Sequence, residues 1–320
     1  MDSTTNKFSK KNLVEEILAW KKKRKAVILA HVYQPAEIQD IADFIGDSLF
    51  LSQQAAQTDA EVIVFCGVYF MAETAAILSP EKIILLPEIK AGCPLADMAP
   101  PEKVKEKLKE SPKAVIISYV NSFAAVKALS DYCCTSANAV QVVQAISNLP
   151  VRDRTQTGKK DILFIPDKNL ANFIAQRTKR KIIPWPGFCP IHNLLTKEDV
   201  IKAKKLHPQA LLLVHPECRP EVCNLADYIG STKGIINFVS NNSAKKYIIG
   251  TETGIFHPLK KSNPDKEFFP ASEKMICRDM KLIDLEKVLR SLQILEPQIT
   301  VPEDIRKKSL KALSRMLETI

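Results

Sequence analysis

The chain has 320 residues, 46% of them hydrophobic, and a formal net charge of +10. That is ample for a packed core in one large domain or two to three small ones. No apolar run approaches the ~20 residues of a membrane span, and the start MDSTTNKFSKKNLVEEILAW lacks the apolar core of a secretory signal. A cytoplasmic protein is expected, so the eight cysteines read as thiols or metal ligands rather than a disulfide framework. Much of the positive charge sits in lysine runs (Lys21–Lys25, Lys103–Lys109, Lys202–Lys205, Arg306–Lys311) without interleaved aromatics. These read as solvated helix faces rather than as a nucleic-acid surface.

In chain order, residues 1–9 are expected to be disordered. Residues 10–24 form an amphipathic helix with Leu13, Ile17 and Trp20 on one face. A strand at 26–32 and a helix over Pro35–Gly46 follow, with another helix opening at Ser48. Strand 61–66, a helix near Met71–Leu78 and strand 82–86 lead to the loop AGCPLADM. The order then repeats: helix 101–110, strand 114–118, helix 124–132, a helix opening at Ser136, a polar loop at 151–160, strand 161–165, helix 169–177, strand 181–183. The proline-rich loop PWPGFCPIH ends that unit. A third round has helix 196–206, strand 210–214, helix 219–228, a helix opening near Thr232, and strand 246–250. SNPDKEFFP reads as a loop, and helices 284–294 and 303–319 close the chain.

The recurrence extends to individual residues. Glu37–Ser48, Ala125–Ser136 and Glu221–Thr232 align without a gap: the seventh residue is Asp43, Asp131 or Asp227, the eighth Phe44, Tyr132 or Tyr228, and the twelfth Ser48, Ser136 or Thr232. Six residues upstream of each stretch, an apolar strand ends in a polar pair: His31 and Tyr33, Tyr119 and Asn121, His215 and Glu217. Downstream, a cysteine recurs in a loop: Cys93, Cys189, Cys277. A period this long means repeated small domains. The fold expected is α/β: three homologous three-layer α/β/α units with parallel sheets, arranged with pseudo-threefold symmetry. Their spans are 10–97, 98–193 and 194–282, with C-terminal helices at 283–320.

In open parallel sheets, ligands bind beyond the carboxyl ends of the strands, where these polar residues fall. Helix N-termini carrying hydroxyls suit a substrate with carboxylates or a phosphate. A hydroxyl before a helix is usually a cap and nothing more; joint repetition at one register favours the functional reading. Three cysteine thiolates with a vacant fourth position suit an iron–sulfur cluster, with zinc second. Cys66 reads as core, at most one of Cys133 and Cys134 faces the site, and Cys218 and Cys223 read as inert thiols rather than a redox pair. There is no P-loop and no GxGxxG.

The set AHVYQ, EIQDIADFIGDS, VFCGVYFMAETA, AGCPLADM, SYVNS, ALSDYCCTSAN, IPDKNL, PWPGFCPIH, HPECRPEV, LADYIGST and IIGTETG resembles the quinolinate synthase family over residues 26–290. The resemblance implies three homologous α/β domains around a [4Fe–4S] cluster on Cys93, Cys189 and Cys277. It implies condensation of iminosuccinate with dihydroxyacetone phosphate to quinolinate, with loss of phosphate and water, and one open iron as Lewis acid. It places His31, Ser48, Ser136 and Thr232 on carboxylate or phosphate oxygens, and Tyr119 and Asn121 against substrate. Glu217 is expected as general base, with His215 and Tyr33 moving protons and Tyr119, His215 and Glu217 also touching substrate. An unstable imine substrate implies coupling to an L-aspartate oxidase or dehydrogenase. Another open-iron hydro-lyase, or a basic iron–sulfur sensor binding nucleic acid, would share some of these features.

Overall fold

The computed structural model describes residues 3–147 and 161–318; the polar insertion expected at 151–160 lies outside them. The chain divides into two compact units. One is Met1–Cys93 with Cys277–Val301, the other Pro94–Ile276 with Pro302–Ile320.

The first unit contains one sheet: β1 (Ala26–His31), β2 (Phe44–Gly46), β3 (Val62–Cys66) and β4 (Ile83–Leu85), in the order β2-β1-β3-β4. The second contains two. One is β5 (Val115–Tyr119), β6 (Tyr132–Cys134), β7 (Ile162–Ile165) and β8 (Ile182–Pro184), ordered β6-β5-β7-β8. The other is β9 (Leu211–Val214), β10 (Tyr228–Ile229), β11 (Lys246–Gly250) and β12 (Glu267–Pro270), ordered β10-β9-β11-β12. Every pairing is parallel, and helices fill the crossovers that parallel neighbours require. The central strands are mainly apolar, with Val27–Ala30 and Val62–Cys66 buried, as strands covered on both faces must be. Three parallel α/β sheets of one topology are what the repeat predicts.

The twelve-residue stretch differs from expectation. It is not one helix but a short helix followed by an edge strand: Ala36–Ile41 then β2, Ala124–Lys127 then β6, Pro220–Cys223 then β10. The shared aspartate causes the break. The Asp43 N–H donates to the Ile28 carbonyl at 2.9 Å, while its carboxylate accepts from the Ile28 N–H at 2.8 Å. Asp131 does the same with Ile116 (2.9 and 2.9 Å), and Asp227 with Leu212 (2.9 and 2.7 Å). A side chain that satisfies the neighbouring strand's backbone competes with helix continuation. Each aspartate thereby turns the chain alongside the central strand.

Two further expectations change. The first helix begins at Ser3 and runs to Lys23, where residues 1–9 were expected to be disordered. Glu267–Pro270, expected as loop, pairs with β11 as a fourth strand and buries Phe268. The helix Leu285–Ile294 packs on the first helix, with Arg24 donating to the Leu292 and Gln293 carbonyls at 3.0 and 2.5 Å. It thus belongs to the first unit. Helix Glu303–Glu318 packs on the second repeat, where Ser309 donates to the Ala124 carbonyl and Arg315 to that of Asp131.

Removing the aspartate bracket should weaken a sheet without touching the strand-end residues. Asp227→Ala is expected to cost about 1–3 kcal/mol, by leaving the Leu212 N–H without its carboxylate. Urea unfolding should show a lower midpoint at unchanged slope; an unchanged midpoint would contradict this role.

Candidate functional site

Strand register brings the repeated polar residues to the sheet ends. His31 is the Cα partner of Gly46, and Tyr119 of Cys134; Gly230 donates to the Val214 carbonyl beside His215 at 3.1 Å. Ser48, Ser136 and Thr232 each lie two residues beyond those edge-strand positions. They are not the caps of their helices. Asp47 accepts from the Phe50 N–H at 3.1 Å, Thr135 from the Ala137 N–H at 3.2 Å, and Ser231 from the Gly234 N–H at 3.1 Å. At Ser48 and Thr232 capping falls to the preceding residue, whereas in the second repeat the helix opens only at Ala139 and Thr135 closes a turn before it.

In the second unit the strand ends of two repeats share one hydrogen-bonded network. Glu217, buried just past β9, accepts from the Tyr119 hydroxyl. Its Oε2 lies 2.6 Å from His192 Nδ1 and 3.4 Å from His215 Nδ1. A separation of 2.6 Å between a ring nitrogen and a carboxylate needs a proton between them, so Nδ1 of His192 carries one. The Nε2 of His192 meets Thr251 Oγ1 at 2.8 Å. His215 stacks on His192, centroids 4.5 Å apart, and its Nε2 meets Ser136 Oγ at 3.1 Å. Ser136 also bonds the Tyr119 hydroxyl.

Burial by itself would raise the Glu217 pKa. The charges of His215 and His192, with bonds from His192 and Tyr119, outweigh it and hold the carboxyl below its ordinary range. Asp167 moves the opposite way: burial first, then the Glu217 charge, push it up, against N–H groups that stabilise the carboxylate. Tyr119 is pushed well above its usual value by burial and then by Glu217, so it remains a neutral phenol and a donor. These groups titrate as a set.

Asp167 and Asn169, in the loop and helix after β7, hold the network in place. Asp167 caps its helix through the Leu170 N–H at 2.7 Å and accepts from the Cys189 N–H at 2.9 Å. Asn169 donates to the Glu217 carbonyl at 3.0 Å. Cys189, His192 and Glu217 each offer a ligand atom within 4.8 Å of the others, so they can hold a metal. The donor set fits: the Glu217 Oε1 is buried without a hydrogen-bond partner among the described residues. Asn121 Oδ1 is in the same condition, and Thr232 is buried at the start of its helix.

The first unit carries His31, Tyr33, Ser48, Cys93 and Cys277. The Tyr33 N–H donates to His31 Nδ1 at 3.2 Å, as the Glu217 N–H does to His215 Nδ1 at 3.3 Å. That repeated bond makes Nε2 the donor of each imidazole in the neutral form. The Cys93 and Cys277 loops are tied together: the Gly92 N–H donates to Asp279 Oδ1 at 3.2 Å. Lys281 Nζ donates to the Tyr33 carbonyl, and Gln34 Nε2 meets Met280 Sδ at 3.6 Å.

The cysteines separate by burial. Cys93, Cys189 and Cys277 are half-buried; Cys66, Cys133, Cys134, Cys218 and Cys223 are buried. Burial pushes Cys133 and Cys223 up to about 12, and Cys66, Cys134 and Cys218 also upward. None of the eight is bridged, and both Cys133 and Cys134 face the core.

His192, Asp167 and Thr251 were not singled out from the sequence. His192 stands three residues after Cys189, where the other two repeats have Ala96 and Met280. A search for shared residues passes over it, although it lies inside the PWPGFCPIH motif.

A thiol reagent applied to the native, metal-free chain should modify Cys93, Cys189 and Cys277 first. Raising the pH from 7 to 9 should leave Cys133 and Cys223 slow, their titration lying near 12. Peptide mapping that finds Cys133 or Cys223 modified first would contradict the assignment.

Comparison with known proteins agrees with this architecture. Residues 15–318 match the family model described as Quinolinate synthetase A protein. The chain is 54% identical to a quinolinate synthase of Thermodesulfovibrio yellowstonii, covering 96% of this chain and 98% of that one. It is 53% identical to one of Desulforudis audaxviator, over 95% and 97%. It is 50% identical to quinolinate synthase 1 of Methanosarcina acetivorans, over 96% and 97%. No described helix is long and apolar enough to cross a membrane. The chain belongs to the Quinolinate synthetase A protein family and is an enzyme.

Proposed function

We propose that the chain condenses iminosuccinate with dihydroxyacetone phosphate to quinolinate, releasing phosphate and water, with a [4Fe–4S] cluster held by Cys93, Cys189 and Cys277. The carrying observation is the buried Glu217 network, which gathers Tyr119, Ser136, His192 and His215 beside Cys189 in a family of quinolinate synthases. When bound, a cluster with one iron lacking a cysteine supplies a Lewis acid.

The chain's own residues supply the rest. Glu217 is the general base, acting through the Oε1 that has no protein partner among the described residues. Its basicity depends on the imidazoles, because protonated His192 and His215 lower it and neutral ones leave burial to raise it. His215 passes protons between Glu217 and Ser136 through its two ring nitrogens. Tyr119, held neutral, donates to substrate oxygen, and Asn121 positions substrate. Ser136 and Thr232 hold carboxylate or phosphate oxygens; so do His31 and Ser48 in the first unit, where Tyr33 moves protons. Support for Ser48 and Thr232 as anion-binding hydroxyls comes from Asp47 and Ser231, which cap their helices and relieve them of that task. The unstable imine must come from an enzyme that oxidises L-aspartate.

Glu217→Gln is expected to lower turnover of the two substrates at least 100-fold, within the range for a general base, while iron content holds. Full activity in that variant would remove Glu217 as base. Cys189→Ala should lose iron, and retained stoichiometric iron would remove it from the ligand set.

A further inference from the structure

At the third position of the twelve-residue stretch the three repeats disagree chemically and agree structurally. That position holds Gln39, Lys127 and Cys223, all buried, Lys127 at 0% exposure. Each donates to the carbonyl five residues upstream. Gln39 Nε2 reaches the Gln34 carbonyl at 2.9 Å, Lys127 Nζ the Ser122 carbonyl at 2.5 Å, and Cys223 Sγ the Cys218 carbonyl at 3.6 Å. Gln39 also reaches the Val32 carbonyl at 2.9 Å, and Cys223 the His215 carbonyl at 4.0 Å. In every repeat the carbonyl held is the third residue after the strand-end His31, Tyr119 or His215. The loop so clamped carries Tyr33, Asn121 or Glu217.

We propose that Gln39, Lys127 and Cys223 are positioning residues: one buried donor per repeat that locks the strand-end loop and aims its polar side chain. The proposal rests on the function proposed above. The three bonds differ in strength. An ammonium to a carbonyl is charge-assisted, an amide makes two neutral bonds, and a thiol is a weak donor.

The second repeat shows why the device is more than filler. Burying an ammonium away from water is unfavourable unless hydrogen bonds compensate, and an apolar side chain would fill the same space. Lys127 instead holds Ser122, whose Oγ donates to the Tyr119 carbonyl at 2.8 Å and meets Ser118 Oγ at 2.7 Å. Tyr119 in turn bonds Glu217. The lysine therefore reaches the site through this loop. Misplacing a reacting group by about 1 Å can cost 10²-fold in rate.

The test compares Lys127→Met with Lys127→Gln, which installs the first repeat's donor, in the iron-loaded chain. Hydrogen–deuterium exchange should speed up in the peptide covering Tyr119–Phe123 for Lys127→Met, with β5 residues 115–118 unchanged. Lys127→Gln should restore most of the protection. Lys127→Met should lower kcat about 10- to 100-fold with iron content and the cooperative unfolding transition retained, and Lys127→Gln should recover kcat. Unchanged exchange at 119–123, or equal loss of kcat in Met and Gln variants, would overturn the proposal. Faster exchange in a protein whose wild type does not form quinolinate would leave the clamp standing and sink the assigned reaction. If Lys127→Met does not fold, Gln39→Met carries the test, with exchange read at 32–34.

Discussion

The structure depends on one bond made three times. An aspartate carboxylate takes the N–H of the central strand while its own N–H meets the carbonyl of the same residue. This two-point bracket fixes where the short helix stops and where the parallel edge strand starts. Register follows from it, because a bracket at Ile28 sets Leu29 opposite Phe44 and His31 opposite Gly46. The hydroxyl two residues later must then lie beyond the strand end. Repeating the bracket at Ile116 and Leu212 repeats the placement, so a backbone constraint delivers Ser48, Ser136 and Thr232 to equivalent positions.

The second unit uses that placement to assemble groups that would not coexist in water. Two carboxyls, Asp167 and Glu217, are buried and repel one another. The repulsion is tolerated because their partners differ. Asp167 is held by backbone N–H groups, while Glu217 is held by two imidazoles and a phenol. Asp167 fixes the backbone of Cys189, and Asn169 that of Glu217. The proposed ligand cysteine and the proposed base are thus positioned from one loop–helix junction after β7.

Much of the fold was legible because it repeats. The apolar runs ending at His31, Tyr119 and His215, and the cysteines at 93, 189 and 277, stand out by register alone. The edge strands β2, β6 and β10 were not legible. They are two or three residues long, and the apolar spacing of Ile38, Ile41 and Ile45 also suits a helix. Glu267–Pro270 was read as loop because charge precedes it and proline ends it, although Phe268 buries its ring. In the site, repetition revealed the residues that share a role and concealed those that do not. Glu217 was found with His215 at the repeated strand-end register. His192 was missed, because its counterparts Ala96 and Met280 carry no such chemistry.

The central claim joins the three half-buried cysteines to one cofactor and one reaction. The most direct measurement is iron and acid-labile sulfide per chain in protein purified without oxygen, followed by quinolinate formation from iminosuccinate and dihydroxyacetone phosphate. The account predicts about four iron and about four sulfide per chain, as one [4Fe–4S] cluster requires, together with turnover. Zinc in place of iron, or a loaded cluster without quinolinate formation, would contradict it.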